Sequence, residues 1–246
     1  MRGPLAAWRH AALLGLPAFV ACSSTPERPE CPPRAEQGAA PGWVDVALPG
    51  KRLTCYQSAW EDGRPVVLAR ADASASLLRR SVRVEPGQLG KVQFSWRIAS
   101  LIPTADLTDA DHSDSPVRLV FAFDGDHARL SMRNRMLFDL AEAVTGEAPP
   151  FATLMYVWDN HLAREMVIPS ARTDRVRKIV LESGDRQCGR WLHYERDLVA
   201  DYRRAFGEDP GALIGVALMT DADNTASRAA GSYGAVRLLD RDGVPL

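Results

Sequence analysis

Chemistry-bearing side chains gather in two acidic loops and one aromatic set. The string Met219-Thr-Asp-Ala-Asp-Asn-Thr-Ala-Ser-Arg-Ala-Ala-Gly-Ser-Tyr-Gly234 assembles Asp221, Asp223 and Asn224. Alternating carboxylate and amide oxygens suit a hard cation, and calcium is the ion to consider. The glycine and distal glutamate of an EF-hand loop are missing, so no cofactor is expected. The same side chains accept backbone N–H groups and shape long turns. Contact with a sugar or other polar ligand is the third use of such a string.

A second acidic loop carries Asp106, Asp109, Asp111, His112 and Asp114, followed by Arg118 and then Asp124-Gly125-Asp126. It reads either as a solvated loop or as the polar rim of a cleft, with Asp114 and Arg118 able to pair. The aromatic set is Tyr156, Trp158, Trp191, Tyr194 and Tyr202, with Trp43, Trp60 and Trp96 elsewhere. Flat rings beside Asp, Asn and Arg cover the apolar faces of sugars, although each ring taken singly is large enough to be core. Trp96 alternates with Phe94 and belongs to the core. Trp158 ends an apolar run before Asp159-Asn160-His161, a place from which it can face a cleft. The expected ligand cleft is lined by Asp114, Arg118, Trp158, Arg196, Asp221, Asp223 and Asn224. It requires residues 109–118 to meet residues 220–225.

Catalytic templates fail. There is no Gly-x-Ser-x-Gly, and Glu182-Ser183-Gly184 lacks the leading glycine. His-Glu-x-x-His is absent, and His112, His161 and His193 are dispersed. Two carboxylates for glycoside hydrolysis could come from Asp114, Asp124, Asp159, Glu165, Asp221 and Asp223, but the Glu-x-Asp-x-x-Glu strand of sandwich-fold glucanases is missing.

Short runs of alternating apolar residues must position these groups. Strands are predicted at 44–48, 53–60, 65–71, 76–84, 92–98, 117–123, 153–158, 178–182, 213–219 and 233–239. About ten strands between turn signals predict an all-β fold, a β-sandwich or jelly roll. Two short helices interrupt them. One runs 129–144, with Asp126 as cap and Gly146 as stop. The other runs 197–206, with Asp197 as cap and Gly207 as stop. Both are expected to cover a sheet edge or end, with the methionines of the first used as packing.

The first two dozen residues read as an export signal. Arg2, Arg9 and His10 precede the uncharged run Ala11–Ala21, and Cys22 follows in a context resembling a bacterial lipobox. The run is too short to cross a bilayer, which needs about 20 residues. Plain secretion and a cytosolic chain with an apolar start are the alternatives. Ser23 favours the outer membrane by analogy with enterobacterial sorting. The expected organisation is a signal peptide at 1–21, lipid-bearing Cys22 with a proline-rich tether at 22–42, and one sandwich domain at 43–246 in the periplasm. Lys and Arg total 30 against 31 Asp and Glu, a balance with no electrostatic footprint for nucleic acid. Of Cys31, Cys55 and Cys188, the tether position of Cys31 favours a Cys55–Cys188 disulfide; three free thiols are the alternative.

Several strings together resemble a bacterial family catalogued as domain of unknown function 3047. They are Phe94-Ser-Trp-Arg97, Asp114-Ser-Pro-Val-Arg118, Phe121-Ala-Phe-Asp124, Tyr156-Val-Trp158, the run Arg196 to Glu208, the run Gly215 to Thr225, and Tyr233-Gly234. The resemblance spans roughly residues 43 to 240. It implies an exported β-sandwich similar in outline to galactose-binding and carbohydrate-binding jelly rolls. It supplies no established activity, so no catalytic residue is carried over. The leading expectation is an envelope-tethered, non-catalytic module that binds a glycan or similar polar ligand, held to the membrane by lipid alone. A polysaccharide hydrolase or lyase is one alternative. A structural lipoprotein that binds another envelope protein is the other, and it predicts an exposed apolar patch.

Overall fold

The computed structural model describes Cys31 and residues 42–246. The expected signal peptide, Cys22 and nearly all of the expected tether lie outside the described residues. Contacts divide the chain after Cys31, and every element below belongs to the unit 32–246.

In chain order the strands are β1 (Trp43–Ala47), β2 (Cys55–Glu61), β3 (Arg64–Asp72), β4 (Ser76–Val84), β5 (Lys91–Ile98), β6 (Ser115–Phe123), β7 (Ala152–Asp159), β8 (Val167–Pro169), β9 (Val176–Ser183), β10 (Leu192–Asp197), β11 (Leu213–Asp221), β12 (Arg228–Tyr233) and β13 (Arg237–Leu239). Helix α1 (Met132–Thr145) lies between β6 and β7, and α2 (Leu198–Phe206) follows β10. One sheet has the order β1-β4-β11-β6-β7-β9-β8; the other has β10-β5-β12-β3-β2, with β13 also on β5. All pairings are antiparallel except β7 with β9. The fold is a β-sandwich of jelly-roll type.

Period-two alternation puts one face of each strand into the shared core. Val92, Phe94, Trp96 and Ile98 of β5 meet Val117, Leu119, Phe121 and Phe123 of β6, with Leu154, Tyr156 and Trp158 of β7. Phe94 stacks on Tyr156 at 5.8 Å, and Phe121 meets Tyr156 edge-on at 5.2 Å. Such pairs add about 0.5–1.5 kcal/mol each beyond buried area. Gly231 lets β12 approach β6: a Cβ there would lie 2.4 Å from Val117 Cγ1 and 2.6 Å from the Pro116 carbonyl oxygen. Tyr233 Oη donates across the sandwich to the Met219 carbonyl at 2.6 Å. Tyr56 Oη does the same to the Ser76 carbonyl at 2.8 Å.

Four expectations need correction. A single strand at 233–239 was expected, but β12 ends at Tyr233 and β13 starts at Arg237, because Gly234 passes tightly over Ser95. Strands β8 and β10 were missed; β8 is short, and β10 mixes charge with its alternation. Helix α1 buries only Asn134 and leaves Met132, Met136, Leu140 and Val144 between 63 and 73% exposed. It therefore covers little, and those methionines do not pack. Finally, Cys55 is disulfide-bonded while Cys188 is a free thiol, so no Cys55–Cys188 bridge forms. The capping signals of α2 hold: Asp197 accepts the Ala200 N–H, and Gly207 closes the helix in the left-handed region.

Candidate functional site

The two acidic loops do meet. They flank the pairing of β6 with β11, where Arg118 lies opposite Met219 and Ser115 opposite Asp221. Arg118 clasps Asp221 with Nε to Oδ1 at 2.7 Å and Nη2 to Oδ2 at 2.8 Å. Asp221 Oδ1 also accepts the Ser115 N–H at 3.2 Å. Asp114 Oδ2 accepts the Thr225 N–H at 2.8 Å and its hydroxyl at 2.7 Å, and Asp114 Oδ1 accepts the Asn224 N–H. Asp223 pairs with Lys51. Asn224 Nδ2 reaches the Ala110 and Ser113 carbonyls. Five of the seven expected residues thus converge, as do several strings that carry the family resemblance.

Their chemistry is inward-looking. Oxygens of Asp114, Asp221 and Asp223 lie within 4.8 Å of one another, close enough to share a cation. Arg118, Lys51 and backbone N–H groups already occupy those oxygens, so calcium would have to displace them. The donor set does not fit an open calcium site, which wants six to eight free oxygens. The cluster acts as a clasp joining the 106–114 and 222–227 loops. Burial pushes the Asp221 carboxyl up to about 6, against the pull of Arg118.

Trp158 and Arg196 stand apart from this role. The Trp158 indole is 1% exposed and donates from Nε1 to the Gly184 carbonyl at 2.9 Å, so it cannot stack on a ligand. Only its backbone joins the cluster, through the Ser115 hydroxyl at 2.7 Å. Arg196 forks between Asp201 and Glu165, four contacts of 2.8–2.9 Å, beside α2. Asp201 in turn accepts Tyr156 Oη at 2.6 Å. The other carboxylates considered for hydrolysis are similarly engaged: Asp159 Oδ1 caps the His161 and Leu162 N–H groups, and Asp124 accepts Gly125 N–H.

The larger concavity is elsewhere. A groove of about 900 Å³ crosses the six-stranded sheet, lined among others by Glu61, Gln93, Trp191, His193, Glu195 and Arg237. A second hollow of about 380 Å³ shares Glu61 and continues past Arg97, Leu68 and Ser232. Between them Arg97 lies 5.1 Å from the Trp191 ring centre and donates to both Glu61 oxygens at 2.8 and 2.6 Å. Glu195 accepts Lys91 at 2.6 Å and Gln93 at 2.8 Å, bonds that hold its carboxyl below the usual range. Pairing β10 with β5 places Glu195 opposite Gln93 and His193 opposite Ser95, though about a hundred residues separate them. The sequence singles out Trp191 and Tyr194 as rings and names His193 among its dispersed histidines. The signal for the rest is the polar half of two period-two strands.

A profile of a protein family of unknown function, DUF3047, matches residues 41–237. The chain belongs to the DUF3047 family. No curated protein matches it by sequence. Among solved structures, DUF3047 as represented by this chain is similar to a CBM4 chain, with TM-score 0.35 and 7% identity over 83% of this chain and 90% of that one. It is also similar to the xyloglucanase domain of NopAA, a type three effector from Sinorhizobium fredii in complex with cellobiose. That match has TM-score 0.43 and 8% identity over 80 and 92%. The family 11 xylanase from Neocallimastix patriciarum matches with TM-score 0.28 and 9% identity over 80 and 99%. At such scores the sandwich assignment rests on strand order alone.

Proposed function

We propose that this DUF3047 chain is a non-catalytic glycan-binding module, tethered to the cell envelope through Cys22, whose ligand lies in the groove of the six-stranded sheet. The observation that carries the reading is the groove itself. It is open to solvent, and it sets an indole beside amide, imidazole, carboxylate and guanidinium groups. Rings cover the apolar faces of sugars while these polar groups meet hydroxyls. The groove's acids support binding over hydrolysis. A glycosidase needs one carboxyl whose pKa is raised to serve as acid. Here Glu195 is held ionised by Lys91 and Gln93. Envelope placement is supported by the charged, apolar, small-residue order of the first 22 residues.

The test is a glycan array and a cell-wall pull-down with the intact chain and Trp191→Ala. Saturable binding to a defined oligosaccharide, weakened at least tenfold in the variant, is expected. A flat response across glycans would remove the proposal.

A second reading, docking onto another envelope protein, is supported by the exposed Met132, Met136, Leu140 and Val144 stripe of α1. Met136→Glu with Leu140→Glu should then abolish co-purification with that partner while glycan binding persists.

A further inference from the structure

On the opposite sheet, Lys178 is a buried cation without a counter-ion. Its side chain projects from the outer face of β9, beside Met155 of β7, away from the sandwich core. The residue is 7% exposed. Its Nζ donates to the Leu107 carbonyl at 3.0 Å and the Ser113 hydroxyl at 2.7 Å, both neutral. No carboxylate of the described residues lies within ion-pair distance of it, and both of its hydrogen-bond acceptors are neutral. Arg118, 3% exposed, is its cationic neighbour. Arg118 spends Nε and Nη2 on Asp221 and Ser113, which leaves Nη1 unbonded among the described residues. Both side chains line one cavity of about 220 Å³. The loop through Leu107, Thr108 and Ser113 forms part of its wall, and Met155 and Met219 give it apolar sides.

Buried charges are normally paired, because an unpaired one forfeits its hydration. In this pocket Lys178 lacks an anion, while Arg118 keeps Asp221 as its own and has Nη1 to spare. We infer that this pocket binds the carboxylate of a small organic monoanion, no larger than a single uronic acid, between Lys178 and Arg118. One carboxylate presents two oxygens to two donors. A phosphate dianion would bring a second negative charge toward Asp109, Asp221 and Asp223, which line the cavity together with Lys51 and Arg172. The volume lies under the roughly 300 Å³ at which drug-sized pockets begin. Burial and the Arg118 charge hold the empty lysine down at about 8, so an arriving carboxylate should drive it back toward its ordinary value. Asp221, Asp159 and Asp106 also pull it upward from farther away.

This site stands without the glycan reading, being on the other sheet. The test uses the full chain at pH 8 with acetate, glucuronate, inorganic phosphate and, as neutral control, glucose. Calorimetry should show saturable binding of glucuronate or acetate with proton uptake, at least tenfold weaker phosphate binding, and none for glucose. Lys178→Met should lose at least tenfold in carboxylate affinity. In the unmodified chain, carboxylate should shift the methyl resonances of Met155 and Met219 and leave exposed Met132 and Met136 unmoved. Absence of saturable carboxylate binding, equal binding by Lys178→Met, or methyl shifts confined to Met132 and Met136 would each overturn it.

Discussion

Replacing Lys178 by methionine should stabilise the protein at neutral pH. The folded chain holds this ammonium at about 8 against an ordinary 10.5, because burial strips its hydration and Arg118 repels it. At about 1.4 kcal/mol per pH unit, keeping it charged costs the fold about 3 kcal/mol at pH 7. Methionine matches the length and the apolar neighbours Met155 and Met219, but it leaves the Leu107 carbonyl without a donor. That loss offsets about 1–3 kcal/mol. The net gain is about 1 kcal/mol, or about 2–4 °C in Tm for a chain of this size. The pH dependence has a definite sign. Between pH 8 and 10.5 the unfolded lysine keeps a proton that the folded one has released, so the wild type gains stability as pH rises through that window. The variant does not, and its advantage should shrink to nothing or reverse by pH 10.5. Urea titrations of both proteins at pH 7, 9 and 10.5 measure this. A variant less stable by 1 kcal/mol at pH 7, or a difference constant with pH, would refute the reasoning.

Other substitutions separate structural from ligand-binding residues. Arg196→Ala should cost about 1.5–3 kcal/mol in a denaturation experiment, because Asp201 loses its two bonds to Arg196 and keeps only Arg204 at 3.2 Å and the Tyr156 hydroxyl, while glycan affinity stays unchanged. Tyr233→Phe should cost about 1–3 kcal/mol, since its hydroxyl serves the Met219 carbonyl, the Thr220 hydroxyl and the Arg118 N–H. Gly231→Ala should cost about 1–3 kcal/mol or more by overpacking, read as a lower urea midpoint, because Val117 and the Pro116 backbone leave no room for a methyl group.

Much of the fold was legible because its signals are local. Alternation along Val92–Ile98 reports a strand with one buried face whatever its neighbours are, and the apolar run Val117–Phe123 reports one buried on both. Asp197 and Gly207 bracket a helix by backbone hydrogen bonding within a few residues. The meeting of Asp114 and Arg118 with Asp221, Asp223 and Asn224 was a condition of the expected cleft that the sequence left open, and the pairing of β6 with β11 meets it. What those residues do was not legible. Their oxygens satisfy one another, and that depends on register, which no single strand specifies. Trp158 looked free because polar residues follow it, yet the Gly184 carbonyl takes its indole N–H and lets the ring be core. Arg196 was expected in the cleft, whereas Asp201 of α2 takes its guanidinium. The groove on the six-stranded sheet escaped notice because it forms from ordinary polar residues of β5 and β10, joined only by long-range pairing. Lys178 gave no signal, sitting in a run that reads as an ordinary strand.

The most direct measurement is an indole N–H titration by NMR with the best oligosaccharide from the array. The account predicts that the Trp191 resonance shifts saturably while those of buried Trp96 and Trp158 stay fixed. Movement of Trp158 with Trp191 silent would place recognition at the Asp114–Asp221 cluster and contradict the groove.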